Sequence, residues 1–219
     1  PVGVQLASGD VDWTATGTVT YIEDKKLVAF GHSFQGGGQY PLPMCGAYVH
    51  TFVASAQRSF KLSSPLALGG TLHQDRQAGI VCEMGDAPTM IPVKVRIRAA
   101  GSGRDQTWNF KLADHPFFSG FIIHQVAAGL FDATEEWTEE HTQKMRVTVD
   151  IKGYGRLEVT DTNPSGGAYN SAGLGVLARV MSNPFEKVTV TGCEYDVEVI
   201  HKPMSVSFTA ASVDRLEAR

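Results

Sequence analysis

The chain has 219 residues, a formal net charge of -4, 42% hydrophobic and 19% charged residues, enough for a sizeable core as one large or two small domains. Mean hydropathy is -0.10 and no stretch approaches ~18 consecutive apolar residues, so no transmembrane helix is expected. Ample apolar content with a small net charge argues against disorder, and slight acidity argues against a nucleic-acid partner, which needs a basic stripe.

The dominant texture is β. Thr18-Val19-Thr20-Tyr21-Ile22 and Leu27-Val28-Ala29-Phe30 flank the charged turn Glu23-Asp24-Lys25-Lys26 and read as a hairpin. Val93-Lys94-Val95-Arg96-Ile97-Arg98 alternates strictly, as do residues 107–112, and the Gly/Ser-rich loop between them makes a second hairpin. Residues 117–131 place Phe118, Phe121, Ile122, Val126 and Leu130 at near-helical spacing. Asp114 is the predicted cap of this helix, with Pro116 in its first turn. Residues 145–151, 154–160, 187–190, 195–201 and 206–208 read as further strands. A second short helix is predicted over 173–181, stopped by Asn183-Pro184. Many short strands, Gly/Pro turns and two helices predict a mainly β fold, a barrel or sandwich with helical inserts. A soft boundary near 101–114 divides the chain into 1–105 and 106–219, the latter β-rich with both helices; one continuous domain fits equally well.

Cys45, Cys82 and Cys193 are far apart, with no CxxC pair. They read as small buried residues, so cysteine does not reveal the compartment. No HxH or HExxH spacing occurs among the histidines, so neither a metal nor another cofactor is expected. The chain starts at Pro1 without Met or signal peptide and ends at Arg219 without a clear stop, and reads as a processed piece of a longer protein.

The sharpest local feature is Ala29-Phe30-Gly31-His32-Ser33-Phe34-Gln35-Gly36-Gly37-Gly38. A strand ends, and a histidine sits at the first bend before three glycines. Imidazole is the usual general base near neutral pH, and a glycine loop lets a substrate backbone approach. The plainer reading is a histidine whose ring nitrogens hold the loop together.

Gly17-Thr18-Val19-Thr20 followed by Ala29-Phe30-Gly31-His32 resembles the segment around the catalytic histidine of the SpoIVB-type serine peptidases. Further stretches resemble the larger bacterial members of that family: Phe60-Lys61-Leu62, residues 70–80 around His73-Gln74-Asp75-Arg76, Ala87-Pro88-Thr89-Met90-Ile91-Pro92-Val93, and Ser182-Asn183-Pro184-Phe185. The likeness covers most of the chain and is strongest from Gly17 to Val93. It implies trypsin-like β-barrel character, with 1–105 as the barrel-like part carrying the histidine, and a serine endopeptidase acting on protein or on its own chain. His32 matches the family histidine. The family serine lies in a Gly-Met-Ser-Gly-Ser-Pro type stretch, and this chain has none. In larger relatives that stretch precedes the histidine segment, so the resemblance implies a serine supplied by an upstream segment of the parent protein. The isolated chain is then expected to be incomplete or inactive. The family also implies an exported bacterial location. The alternative function is a non-catalytic β-rich structural or binding module derived from the same fold.

Other serines are weaker candidates. Ser102 sits in a hairpin loop, and Ser33 points away from His32 if the segment is strand-like. Ser165, in Asn163-Pro164-Ser165-Gly166-Gly167, could pair a nucleophile with an oxyanion hole of glycine amides, although the stretch is also an ordinary turn. Asp75 is the carboxylate that would orient His32 in a triad; the competing reading is a local Asp75–Arg76 pairing that fixes a turn. His50 reads as a strand side chain. The apolar face around Phe117, Phe118, Phe121 and Leu130 reads as core, or as a docking site for the missing segment or for a second copy.

Overall fold

In a computed structural model, residues 1–36, 38–99, 103–134, 140–164 and 173–202 are described. Twelve strands are defined: β1 (Val2–Gly9), β2 (Trp13–Gly17), β3 (Val19–Glu23), β4 (Lys26–Ala29), β5 (Leu42–Val53), β6 (Phe60–Arg76), β7 (Gly79–Met84), β8 (Met90–Ala99), β9 (Arg104–Ala113), β10 (Thr142–Ile151), β11 (Gly155–Pro164) and β12 (Val190–Ile200). Helix α1 (Phe118–Thr134) follows β9, and α2 (Val176–Met181) precedes β12. The fold is mainly β, as predicted.

The strands form one sheet in the order β11-β10-β12-β8-β9-β1-β5-β6-β7-β4-β3, with β2 added on β1. The barrel expectation is corrected here, because the sheet does not close. Its two terminal strands face solvent instead: β11 carries Arg156, Glu158 and Asp161, and β3 is largely exposed up to Glu23. Charged, exposed end strands are a common way of leaving a sheet edge unpaired. β1 joins the two halves. Its start pairs with β5 (Val4↔Met44) and its end with β9 (Ala7↔Leu112). Residues 105 and 106, where composition suggests a boundary, are neighbours within β9.

The alternating hairpin β8–β9 forms in full register from Met90↔Ala113 to Ala99↔Arg104. Val93, Val95 and Ile97 face the core, while Lys94, Arg96 and Arg98 face out. There Lys94 meets Glu194 at 2.8 Å, Arg98 meets Asp196 at 2.8 Å, and Arg96 pairs with Asp105. Exposed ion pairs contribute little stability. A register slip would turn the apolar set of β8 outward, so the alternation fixes register more strongly than the charges do.

The β3–β4 hairpin is tighter than predicted: Glu23 pairs with Lys26, and Asp24 takes φ 51° in a two-residue turn. Residues 187–190 are not a strand; only Val190 is, as the start of β12. The strand predicted at 206–208 lies outside the described residues. Helix α1 packs on β9, β1 and β8 and buries Phe118, Ile122, Ile123, Val126 and Phe131. It also packs on α2, so closely that a Cβ on Gly120 would lie 2.4 Å from the Cβ of Ala178.

The α1 cap is His115 rather than the predicted Asp114. The His115 carbonyl accepts from Ser119 N–H at 3.1 Å, and its ring Nδ1 accepts from Phe117 and Phe118 N–H at 3.2 Å each. Pro116 lies in the turn that leads into α1, where its missing N–H costs nothing. Asp114 is exposed, and desolvation raises its carboxyl above the ordinary range against the opposing effect of Lys187.

Candidate functional site

The His32 segment is placed by a row of residues across three strands. Ala29 at the end of β4 pairs with Ile80 in β7, and Ile80 pairs with Asp75 in β6. Two sheet spacings, about 10 Å, therefore separate the end of β4 from Asp75, and the loop after Ala29 crosses that gap.

The loop opens with two left-handed residues, Phe30 at φ 75° and Gly31 at φ 73°. A bulky residue in this region is uncommon and is held there by its surroundings. Phe30 N–H donates to the Thr18 carbonyl at 2.9 Å. Its ring fills the space a side chain on Gly17 would need: a Cβ there would lie 2.1 Å from Phe30 Cδ1. The Gly17 and Phe30-Gly31-His32 parts of the motif thus form one packing unit. The Phe30 ring lies 5.8 Å from the His32 ring and 6.0 Å from that of Phe34.

His32 is exposed, and its Nδ1 lies 2.7 Å from the Ser33 carbonyl oxygen. A carbonyl only accepts, so Nδ1 carries the proton. In the neutral ring Nε2 then holds a bare lone pair.

Asp75 is 7% exposed and anchors the loop. Its two carboxylate oxygens accept the N–H groups of Phe34 and Gln35, each at 2.7 Å, and its own N–H donates to the Gly38 carbonyl at 2.8 Å. These bonds reach forty residues back along the chain. Arg76 instead donates to Gln74 at 3.4 Å, so the local Asp75–Arg76 pairing does not form. His32 and Asp75 are brought to the same loop, but what orients the His32 ring is the Ser33 carbonyl. Ser165 and Ser102 lie outside the described residues.

A serine–histidine contact that sequence reasoning missed lies on the β5–β6 hairpin, where His50 Nε2 and Ser64 Oγ are 2.8 Å apart. The pair forms because a bulge between Val49 and Thr51 leaves His50 beside Ser64. Both side chains are exposed on a strand face, and among the described residues no group in hydrogen-bond contact orients the ring from behind. His73 faces Glu83 at 3.6 Å across β6 and β7. All three cysteines are buried, as predicted, and all three are free thiols. Desolvation pushes Cys82 and Cys193 up to about 12.

Beside the His32 loop lies a cavity of about 330 Å3, lined by Phe34, Tyr40, Leu42, Leu72, Asp75, His115, Phe117 and Phe118 among others. No helix of the described residues is long and apolar enough to cross a membrane. Comparison of the chain with protein families, with curated proteins and with solved structures finds no match.

Proposed function

We propose that this chain is the histidine-bearing part of a SpoIVB-type serine endopeptidase, with the nucleophilic serine supplied by another segment of the parent protein. The observation that carries the reading is the His32 ring, whose protonated Nδ1 is tied to Ser33 and whose basic Nε2 faces solution. The sequence likeness around Gly17 and Phe30-Gly31-His32 supports it. In the reaction the serine Oγ bonds to the scissile carbonyl carbon as its proton passes to Nε2. The carbonyl π electrons move onto oxygen, and backbone amides stabilise that charge. Collapse breaks the C–N bond, and the imidazolium gives its proton to the leaving amine. Water then repeats the cycle on the acyl-enzyme. Asp75 is a positioning residue: it fixes the loop, and the loop carbonyl fixes the ring. Protein substrates and an extracytoplasmic bacterial location belong to this reading.

A second reading, a non-catalytic binding module, is favoured by the outer face of β5–β6. Tyr48, Phe60, Leu62 and Leu66 are each more than half exposed along this hairpin, more apolar surface than an isolated strand pair needs.

Labelling with a fluorescent fluorophosphonate separates the two. The parent protein should label, its His32→Ala form should not, and its Ser64→Ala form should label normally. A folded parent that never labels overturns the peptidase reading and leaves the binding module. Labelling lost with Ser64→Ala would place the chemistry on the His50–Ser64 pair instead.

A further inference from the structure

The cavity beside the His32 loop has the construction of a side-chain pocket. Its walls are apolar and mostly aromatic: Phe34, Leu42, Leu72, Phe117 and Phe118. At about 330 Å3 it exceeds the roughly 150 Å3 that suffices to hold a benzene ring. Phe34 and Phe118 meet at 5.5 Å, and Tyr40 closes over His115 at 4.5 Å.

Gln35, Tyr40, Asp75 and His115 add polar groups to this wall, and the Asp75 carboxylate is already engaged by the Phe34 and Gln35 amides. His115 is 7% exposed, and its Nδ1 accepts the Phe117 and Phe118 N–H groups. An accepting Nδ1 is unprotonated, so the proton of the neutral ring sits on Nε2. Burial disfavours the charged ring. Capping the helix therefore leaves a fixed N–H donor on the other edge of the imidazole of a residue that lines the cavity. Among the described residues no hydrogen-bond partner accepts from it. Nε2 is not one of the sealed, unpartnered polar atoms of the described residues, so it keeps access to water, and an acceptor on a ligand would take the place of that water.

We infer that this cavity is a specificity pocket for a tyrosine side chain of the peptide substrate, its ring held by Phe34, Leu72 and Phe118 and its phenol oxygen accepting from His115 Nε2–H. Phenylalanine fits the same walls but offers the donor no acceptor. The inference deepens the peptidase reading by naming the substrate class, since the loop that presents His32 also supplies Phe34 to the pocket.

The test is a binding measurement that needs no catalysis. N-acetyl-tyrosine amide and N-acetyl-phenylalanine amide are titrated into the chain and followed by NMR at the Phe118 amide and the His115 ring. The tyrosine amide should bind about tenfold more tightly, the scale at which a site built around a hydrogen bond begins to reject the analogue lacking it. His115→Asn keeps an acceptor for the α1 amides, because asparagine is a good cap, and should abolish the preference while the helix persists. Leu72→Phe, which fills the cavity, should weaken both amides. Equal affinity for the two amides in the unaltered chain, or no shift at Phe118 with either, overturns the pocket assignment. A titration repeated on His32→Ala separates the two claims. Tyrosine-amide binding with a parent that never labels would leave a peptide-binding pocket and sink the peptidase. Labelling of the parent without amide binding would sink the pocket alone.

Discussion

Replacing Asp75 should undo the His32 loop before it undoes the sheet. The carboxylate accepts two backbone N–H groups at 2.7 Å each, from a nearly buried position. Hydrogen bonds to a charged group are worth about 1.5–3 kcal/mol each, so Asp75→Ala should cost about 3–6 kcal/mol if the loop stayed in place. Part of that cost is avoided if the loop detaches, because Phe34 and Gln35 N–H can then turn to water. Asp75→Asn keeps one accepting oxygen and sets an NH2 against the other amide, so it should cost about 2–3 kcal/mol by the same accounting. Urea unfolding gives the global change from the midpoint at constant slope, and amide hydrogen exchange gives the local one. The expected pattern is loss of protection at Phe34 and Gln35 in both variants while Ile80, in the middle of the row, keeps its protection up to global unfolding. A loss below about 0.5 kcal/mol, with Phe34 and Gln35 protected as before, would refute the anchoring role.

Other perturbations have equally definite outcomes. Burial holds the His115 imidazole below its ordinary value of 6.5, so the unfolded chain takes up a proton that the folded chain refuses. The stabilisation is complete above about pH 6.5 and is lost as pH falls below it; His115→Asn should flatten the urea midpoint over that window. Gly17→Ala forces the Phe30 ring aside and should cost about 1–3 kcal/mol, with a displaced His32 ring signal in NMR; an unchanged signal would break the link between Gly17 and the loop. Gly120→Ala opens the α1–α2 contact at Ala178 and should lower the thermal midpoint despite alanine's better helix propensity. Cys82 and Cys193, buried with thiols pushed up to about 12, should resist a thiol reagent at neutral pH until denaturant is added; fast native labelling of either would contradict the packing.

What the sequence made legible follows physical rules that hold segment by segment. The β8–β9 and β10 alternations announce themselves because one face of each is buried and the other is charged. β1 does not, because residues Val2 to Ala7 are all buried in the middle of the sheet and lose the alternation. β5 and β6 hide behind Gly and Pro residues and three register shifts, each of which resets the period of two. The α1 cap is not legible in the sequence because Asp is a common cap and His is not, and Pro116 marks only the turn that leads into the helix. The segment around His32 is legible as a histidine at a strand end followed by three glycines. The work of Asp75 could not be read, because it depends on the pairing Ala29–Ile80–Asp75 across three strands.

The peptidase reading rests on which nitrogen of the neutral His32 ring carries the proton, and NMR of its ring nitrogens measures that directly. A ring tied to the Ser33 carbonyl should show the proton on Nδ1 and an unprotonated Nε2. A proton on Nε2 would mean that the basic nitrogen faces the loop rather than solution, and His32 could not take a proton from an incoming serine.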